Sequence, residues 1–244
     1  MDQAEVEAAF APYGRAQFTV LDAQSATHPR MPATWTTMLQ STDPQERIDS
    51  ALSLWNPGFL SLVPRFAVAF RLSLLDVRVI STPGEHDPML VYICEDVGGP
   101  KAIWLGWSPA SFGDEGPEFF DALPGEAQYF LRNVHAGFTA PDTETCGLTP
   151  PSHMTNLADW TGLPDGIPDW EDYGWEGRDP IDSRRLLRVT GYAIQTSLCV
   201  SPDLPPGQAL LDEDSELSVG PFDKMLDQLM ITPIYAYAEG SDLR

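Results

Sequence analysis

The side chains that bind metals are sparse in this chain and poorly spaced for that task. His135, Cys146 and His153 form the densest group of three histidine and cysteine residues in the sequence. Their spacing matches no zinc module, and neither a CxxC nor an HExxH motif occurs. The sequence therefore predicts no zinc site, and we expect no cofactor.

Nucleophilic catalysis also lacks a basis in the sequence. No G-x-S-x-G turn, P-loop or dinucleotide-binding glycine pattern occurs, and TETCGL surrounds Cys146 with acids, which raise a thiol pKa. Cys94 and Cys199 lie in strand-like runs and are predicted to be buried apolar residues. With 36 Asp and Glu residues, two carboxylates suited to glycoside hydrolysis arise easily by chance. We expect a protein that is not an enzyme, and a hydrolase with paired carboxylates is the less favoured alternative.

Charge is the outlying property of the composition. The 244 residues include 36 acids and 14 Lys and Arg, which gives a net charge of −22. Such a protein repels phosphate backbones and anionic membranes and attracts basic partners. We therefore expect a basic protein partner and no binding to nucleic acid or membranes; a solvated acidic surface without a partner is the alternative.

The opening MDQAEVEAAFAPYGR lacks an apolar signal-peptide core and no apolar run is long enough to span a bilayer, so we expect a cytoplasmic protein.

The stretch LPDGIPDWEDYGWEGRDPID, residues 163–182, interleaves aromatic and acidic side chains. Aromatic residues are enriched in binding hot spots, and carboxylates around them steer a basic partner, so this pattern predicts a contact surface. The alternative is that the tryptophans cover the edge of the core while the acids face solvent. A second acidic cluster, residues 212–216, falls in a predicted turn that is most simply a solvated loop. The predicted partner-binding residues are Asp169, Trp170, Glu171, Asp172, Tyr173, Trp175, Glu176, Asp212, Glu213 and Asp214.

The stretch FFDALPGEAQYFLRNVHAGF, residues 119–138, predicts an amphipathic helix. Its apolar residues recur at i, i+3, i+4 and i+7, namely Ala127, Phe130, Leu131 and Val134. Pro124 suits the first helical position and Glu126 the first turn. Gly137 suits the left-handed residue after the helix, and His135 favours the same end. The helix end explains His135 without a chemical role.

The remaining elements follow from similar patterns. DPQERIDSALSLW predicts a helix over about residues 44–56, capped by Asp43 with Pro44 next to it. The runs RFAVAFRLSL, LDVRVIS, PMLVYICED and KAIWLGW predict an antiparallel β-meander. Strands at RRLLRVTGYAIQTSLCVSPDL and GQALLDED and a helix at FDKMLDQLM close the chain after an irregular region, residues 139–183.

These elements together predict an α+β fold with a central, mostly antiparallel or mixed β-sheet flanked by helices. We expect an N-terminal portion, residues 1–115, that contains the meander. A second portion, residues 116–244, contains the long acidic loop and packs on the same core.

The order of elements over residues 119–232 resembles the SUKH superfamily, mostly bacterial immunity proteins that guard against polymorphic toxins. The resemblance rests on a helix that opens with LP and ends at a glycine, a strand with an LC pair, an acidic turn and a final helix. These segments are LPGEAQYFLRNVHAGF, SLCVSPDL, LLDEDSE and FDKMLDQLM. The resemblance implies a mixed α+β fold around a central sheet, no shared catalytic residues, and inhibition of a cognate toxin or secreted effector by tight stoichiometric binding. An acidic adaptor or scaffold module is the alternative.

Overall fold

The computed structural model describes residues 1–14, 17–95, 101–175, 179–192, 196–214 and 216–240. The predicted α+β fold is confirmed, since helices pack on two antiparallel sheets. The helices within these ranges are α1 (Gln3–Phe10), α2 (Thr36–Gln40), α3 (Pro44–Leu52), α4 (Pro57–Leu62), α5 (Pro64–Ser73), α6 (Gly125–Asn133), α7 (Leu157–Trp160) and α8 (Phe222–Gly240). Short 3₁₀ turns lie between several of them.

The strands form two separate sheets where the sequence predicted one central sheet. The first sheet has the order β1 (Thr19–Val20), β2 (Leu74–Ser81), β3 (Met89–Cys94), β4 (Ala102–Trp107) and β5 (Phe138–Thr139). The second has the order β6 (Leu187–Tyr192), β7 (Thr196–Val200), β8 (Gln208–Glu213) and β9 (Glu216–Pro221). All neighbouring pairs are antiparallel. Strands β2, β3 and β4 are the predicted meander, and every residue of β3 and β4 is buried.

One predicted strand is wrong, because RFAVAFRLSL forms most of helix α5. Phe66 and Phe70 bury one helical face together with Ala69, while Val68 and Leu72 remain exposed on the other side. Pro64 occupies the first turn, where its missing N–H leaves no hydrogen bond unmade.

The three predicted helices are confirmed, with shifted ends. The Asp43 carboxylate caps α3 by accepting the Gln45 N–H at 3.0 Å, and that helix ends at Leu52, four residues before the predicted end. In α6, Pro124 is the residue before the first helical position. The closing helix α8 extends past the predicted segment to Gly240.

The predicted acidic turn at residues 212–216 is mostly strand. Glu213 pairs with Glu216 across β8 and β9, so the described turn residue is Asp214, which has a left-handed φ of 52°. Leu217 of β9 is buried, so an apolar side chain anchors this acidic segment in the core. The charged residues around Leu217 do not indicate that contact. The strand β9 was not predicted.

The buried apolar side chains of the described residues form two hydrophobic clusters. The larger one unites the helices and first sheet with the inner face of the second sheet, and it includes Trp104, Phe138 and Leu198. The smaller one lies beneath residues 157–175 and β8–β9. Its buried members are Leu157, Trp170, Trp175, Leu186, Cys199, Leu204, Leu210 and Leu217.

A close backbone approach joins β5 to the segment that follows it. The Phe138 N–H donates to the Leu148 carbonyl at 2.7 Å, and a Cβ on Gly147 would lie 2.0 Å from the Phe138 carbonyl oxygen. We expect Gly147→Ala to lower the free energy of unfolding by about 1 to 3 kcal/mol, because the backbone must shift. Urea denaturation measures the loss. Gly125→Ala, where an added Cβ meets no atom within 4 Å, is the control; equal losses would contradict the steric explanation.

Candidate functional site

Both tryptophans of the predicted contact surface are buried. Trp170 is 5% exposed and donates its indole N–H to the Ile181 carbonyl at 2.7 Å. Trp175 is 7% exposed and donates to the Trp170 carbonyl at 2.9 Å. The two rings meet edge to face, with centroids 5.5 Å apart. Either indole would have to leave the core and break its hydrogen bond before it could anchor a partner.

The carboxylates of the same stretch lie outside this aromatic core. Asp169, Glu171 and Asp172 are exposed, whereas Tyr173 is half-buried with its ring centroid 5.1 Å from that of Trp170. Asp169 has a left-handed φ of 54° where the chain enters the 3₁₀ turn. Glu176, the remaining predicted residue of this stretch, lies outside the described residues. The arrangement matches the alternative in which the indoles cover the edge of the core and the acids face solvent.

An open groove of about 490 Å³ runs between residues 165–171 and 180–184. Its lining includes the carboxylates of Asp165, Asp169, Glu171 and Asp182. Arg184 also lines the groove, but it pairs with Asp182 at 2.5 Å, and its hydrogen bonds lower the pKa of that carboxyl. Among the described residues, no base pairs with the other three carboxylates. The groove therefore presents net negative charge and suits a guanidinium or ammonium group.

The second predicted acidic cluster lies on the β8–β9 hairpin. Asp212 is half-buried, and Glu213 and Asp214 are exposed. Leu217 of the hairpin belongs to the same hydrophobic cluster as Trp170. Both predicted acidic segments therefore pack on the smaller hydrophobic cluster, a grouping that the sequence does not predict.

His135 is a fully buried core residue. Its Nδ1 lies 3.1 Å from the Trp107 carbonyl and its Nε2 lies 2.8 Å from the Tyr92 hydroxyl. The Trp55 indole N–H donates to that hydroxyl at 3.3 Å. With a neutral ring protonated on Nδ1, the Nδ1–H donates to the Trp107 carbonyl and the Tyr92 hydroxyl donates to Nε2, so each of these polar groups has a partner. Burial lowers the pKa of His135 to about 4. The sequence placed this side chain at the end of the helix; its imidazole lies instead in the aromatic core.

All three cysteines are buried. Burial raises the pKa of Cys94 and of Cys146 to about 12 and raises that of Cys199 still further. Asp142 adds a smaller upward shift at Cys146, so the predicted effect of nearby acids is present but secondary. Thiols held in the neutral form are poor nucleophiles.

The described part of the chain contains no group of three or more His, Cys, Asp or Glu side chains arranged to hold a metal ion. Within the same ranges, no helix combines the length and the apolar character that crossing a bilayer requires.

Comparison with protein-family models, with curated proteins and with solved structures finds no match for this chain. The resemblance to the SUKH superfamily therefore remains a prediction from the segments that carry it.

Proposed function

We propose that this protein is an immunity protein that neutralises a cognate bacterial toxin or effector in the cytoplasm. It binds a basic partner tightly and stoichiometrically, occludes the partner's active site, and catalyses no reaction. The observation that carries the proposal is the acidic face of residues 165–172, whose exposed carboxylates form no ion pair with a base among the described residues.

Residues 165–175 combine exposed carboxylates with buried, hydrogen-bonded indoles. The buried indoles of Trp170 and Trp175 hold this loop through hydrogen bonds within it and to the segment that follows. A preorganised loop loses little conformational entropy when a partner binds. In this proposal the indoles stabilise the loop, and Asp169, Glu171 and Asp172 make the contact.

Electrostatics supports a basic partner. A charge of −22 attracts a basic protein over a distance of about one Debye length, roughly 8 Å at physiological salt. Two of the arginines near the loop are already engaged, Arg184 by Asp182 and Arg185 by Asp203. Asp165, Asp169 and Glu171 of the groove form no ion pair within the part of the chain that the structure describes, so they can meet lysine and arginine side chains of a toxin, including those that would otherwise bind phosphate.

The test is a charge reversal followed by binding kinetics. The partner is first identified by co-purification from the native host, and its association is measured at several salt concentrations. We expect the triple variant Asp169→Lys, Glu171→Lys, Asp172→Lys to slow association by about tenfold or more and to flatten its salt dependence, because steering acts mainly on the on-rate.

A matched triple reversal tests whether position matters beyond net charge. Glu85, Asp114 and Glu115 are also exposed, so reversing them to Lys changes the net charge by the same amount elsewhere on the surface. Equal effects of the two triple variants would show that the loop is not the interface. A partner whose activity is unchanged by stoichiometric addition of the protein would favour an adaptor over an inhibitor.

A further inference from the structure

A second groove, of about 660 Å³, lies between α3 and α5 and is lined mostly by apolar side chains. The buried rings of Trp55 and Phe70 form its floor. Val68 and Leu72, one helical turn apart on α5, line it while being 63% and 83% exposed. These two aliphatic side chains are exposed to solvent next to the aromatic floor. The groove therefore leaves apolar surface uncovered, which is typical of a contact surface.

The two helices that border this groove carry opposite charges. The α5 segment PRFAVAFRLS contains two arginines and no acid, and Arg71 on the groove pairs with no acid among the described residues. Across the groove, α3 contributes the exposed carboxylate of Asp49. In a chain of net charge −22, this face is locally balanced, and its positive side would repel a basic partner.

We propose that this groove is the contact between two copies of the chain, related by a two-fold axis. A two-fold interface must be complementary to itself. Here the axis brings α5 of each copy against α3 of the other. Leu72 of each copy then enters the groove of the other copy. Arg71 of each copy contacts the Asp49 carboxylate of the other, so this ion pair forms twice.

The oligomeric state tests this proposal directly. Sedimentation equilibrium up to about 100 μM should show a reversible dimer. Leu72→Asp should raise its dissociation constant by about 100-fold, since an anchor at the centre of an interface carries much of the binding energy. Leu163→Asp, the same change at another exposed leucine, should leave the dissociation constant unchanged.

Charge variants separate the local ion pairs from the general repulsion between acidic copies. Asp49→Arg reduces the net negative charge and Arg71→Asp increases it, so repulsion alone would shift the dissociation constant in opposite directions. The proposal expects both single variants to weaken the dimer by about tenfold and their combination, which keeps the net charge, to restore it.

Three outcomes would overturn the proposal. They are a wild-type monomer throughout the concentration range, a dimer that Leu72→Asp does not weaken, and single charge variants that act in opposite directions or are not rescued by their combination. The substituted side chains are all exposed, so circular dichroism should show an unchanged fold.

Discussion

Asp76→Asn is expected to lower the free energy of unfolding by about 3 to 5 kcal/mol, because it leaves a buried guanidinium without its counter-ion. Asp76 is completely buried, and Arg47 is 3% exposed. Arg47 donates from Nε and Nη2 to the two carboxylate oxygens at 2.8 and 2.7 Å. The Met1 ammonium donates to one of them at 2.5 Å, and the Val77 N–H to the other at 2.8 Å. Asparagine keeps the shape but removes the charge. Urea denaturation at neutral pH measures the loss.

Two further variants show whether burial is the cause. Asp203→Asn breaks the exposed ion pair with Arg185, where water solvates the remaining charge, and it should change stability much less. The double variant Arg47→Met, Asp76→Leu should recover part of the stability lost in Asp76→Asn, because it leaves neither member of the buried pair charged, while the Met1 ammonium and the Val77 N–H still lose their acceptor. If Asp76→Asn costs no more than Asp203→Asn, the buried pair does not stabilise the fold.

The sequence predicted those elements whose causes are local. The Asp43 cap and the adjacent Pro44 identify the start of α3, since each acts on the first helical turn alone. The pair of Arg47 and Asp76 joins residues 29 positions apart, and nothing in the sequence marks Asp76, among the 36 acids, as the buried partner of Arg47. Long-range pairing of this kind becomes visible only once the helix packs on the sheet.

The error at α5 has an identifiable physical origin. In RFAVAFRLSL, Phe66, Val68 and Phe70 alternate as in a strand, yet Phe66 and Phe70 are also spaced as on one helical face. Tertiary contacts decide between the two patterns. Asp227 of α8 accepts the Phe66 backbone N–H at 2.8 Å and the Arg65 Nε at 2.8 Å, so a residue 161 positions away caps this helix.

The sequence predicts the exposed carboxylates of the candidate site but not the burial of its tryptophans. Residue type alone places Asp169, Glu171 and Asp172 in solvent, because a carboxylate is rarely buried without a partner. Residue type does not separate an exposed tryptophan from a buried one. Trp170 donates its indole N–H to the Ile181 carbonyl, 11 residues along the chain, and the alternation of aromatic and acidic residues does not specify that contact.

Acidification should destabilise the protein through His135 by on the order of 3 kcal/mol between pH 6.5 and 4. Burial lowers the pKa of His135 from 6.5 to about 4, so within this window the unfolded chain binds a proton that the folded protein does not. The contribution is fully present above pH 6.5, declines as the pH falls, and is constant again below pH 4. Urea denaturation across this range measures the slope.

The control separates His135 from the carboxylates that titrate in the same range. In His135→Gln, the free energy of unfolding should lose this part of its dependence on pH, whatever the stability of the variant at pH 7. His86→Gln, at an exposed site, should show the same dependence as the wild type. Equal slopes for wild type and His135→Gln would contradict the assignment. Should the variant fold poorly, NMR titration of the wild-type imidazole gives the same answer, because a ring held by Trp107 and Tyr92 should stay neutral well below pH 6.5. Protonation of the native ring near its ordinary pKa would show that burial does not control it.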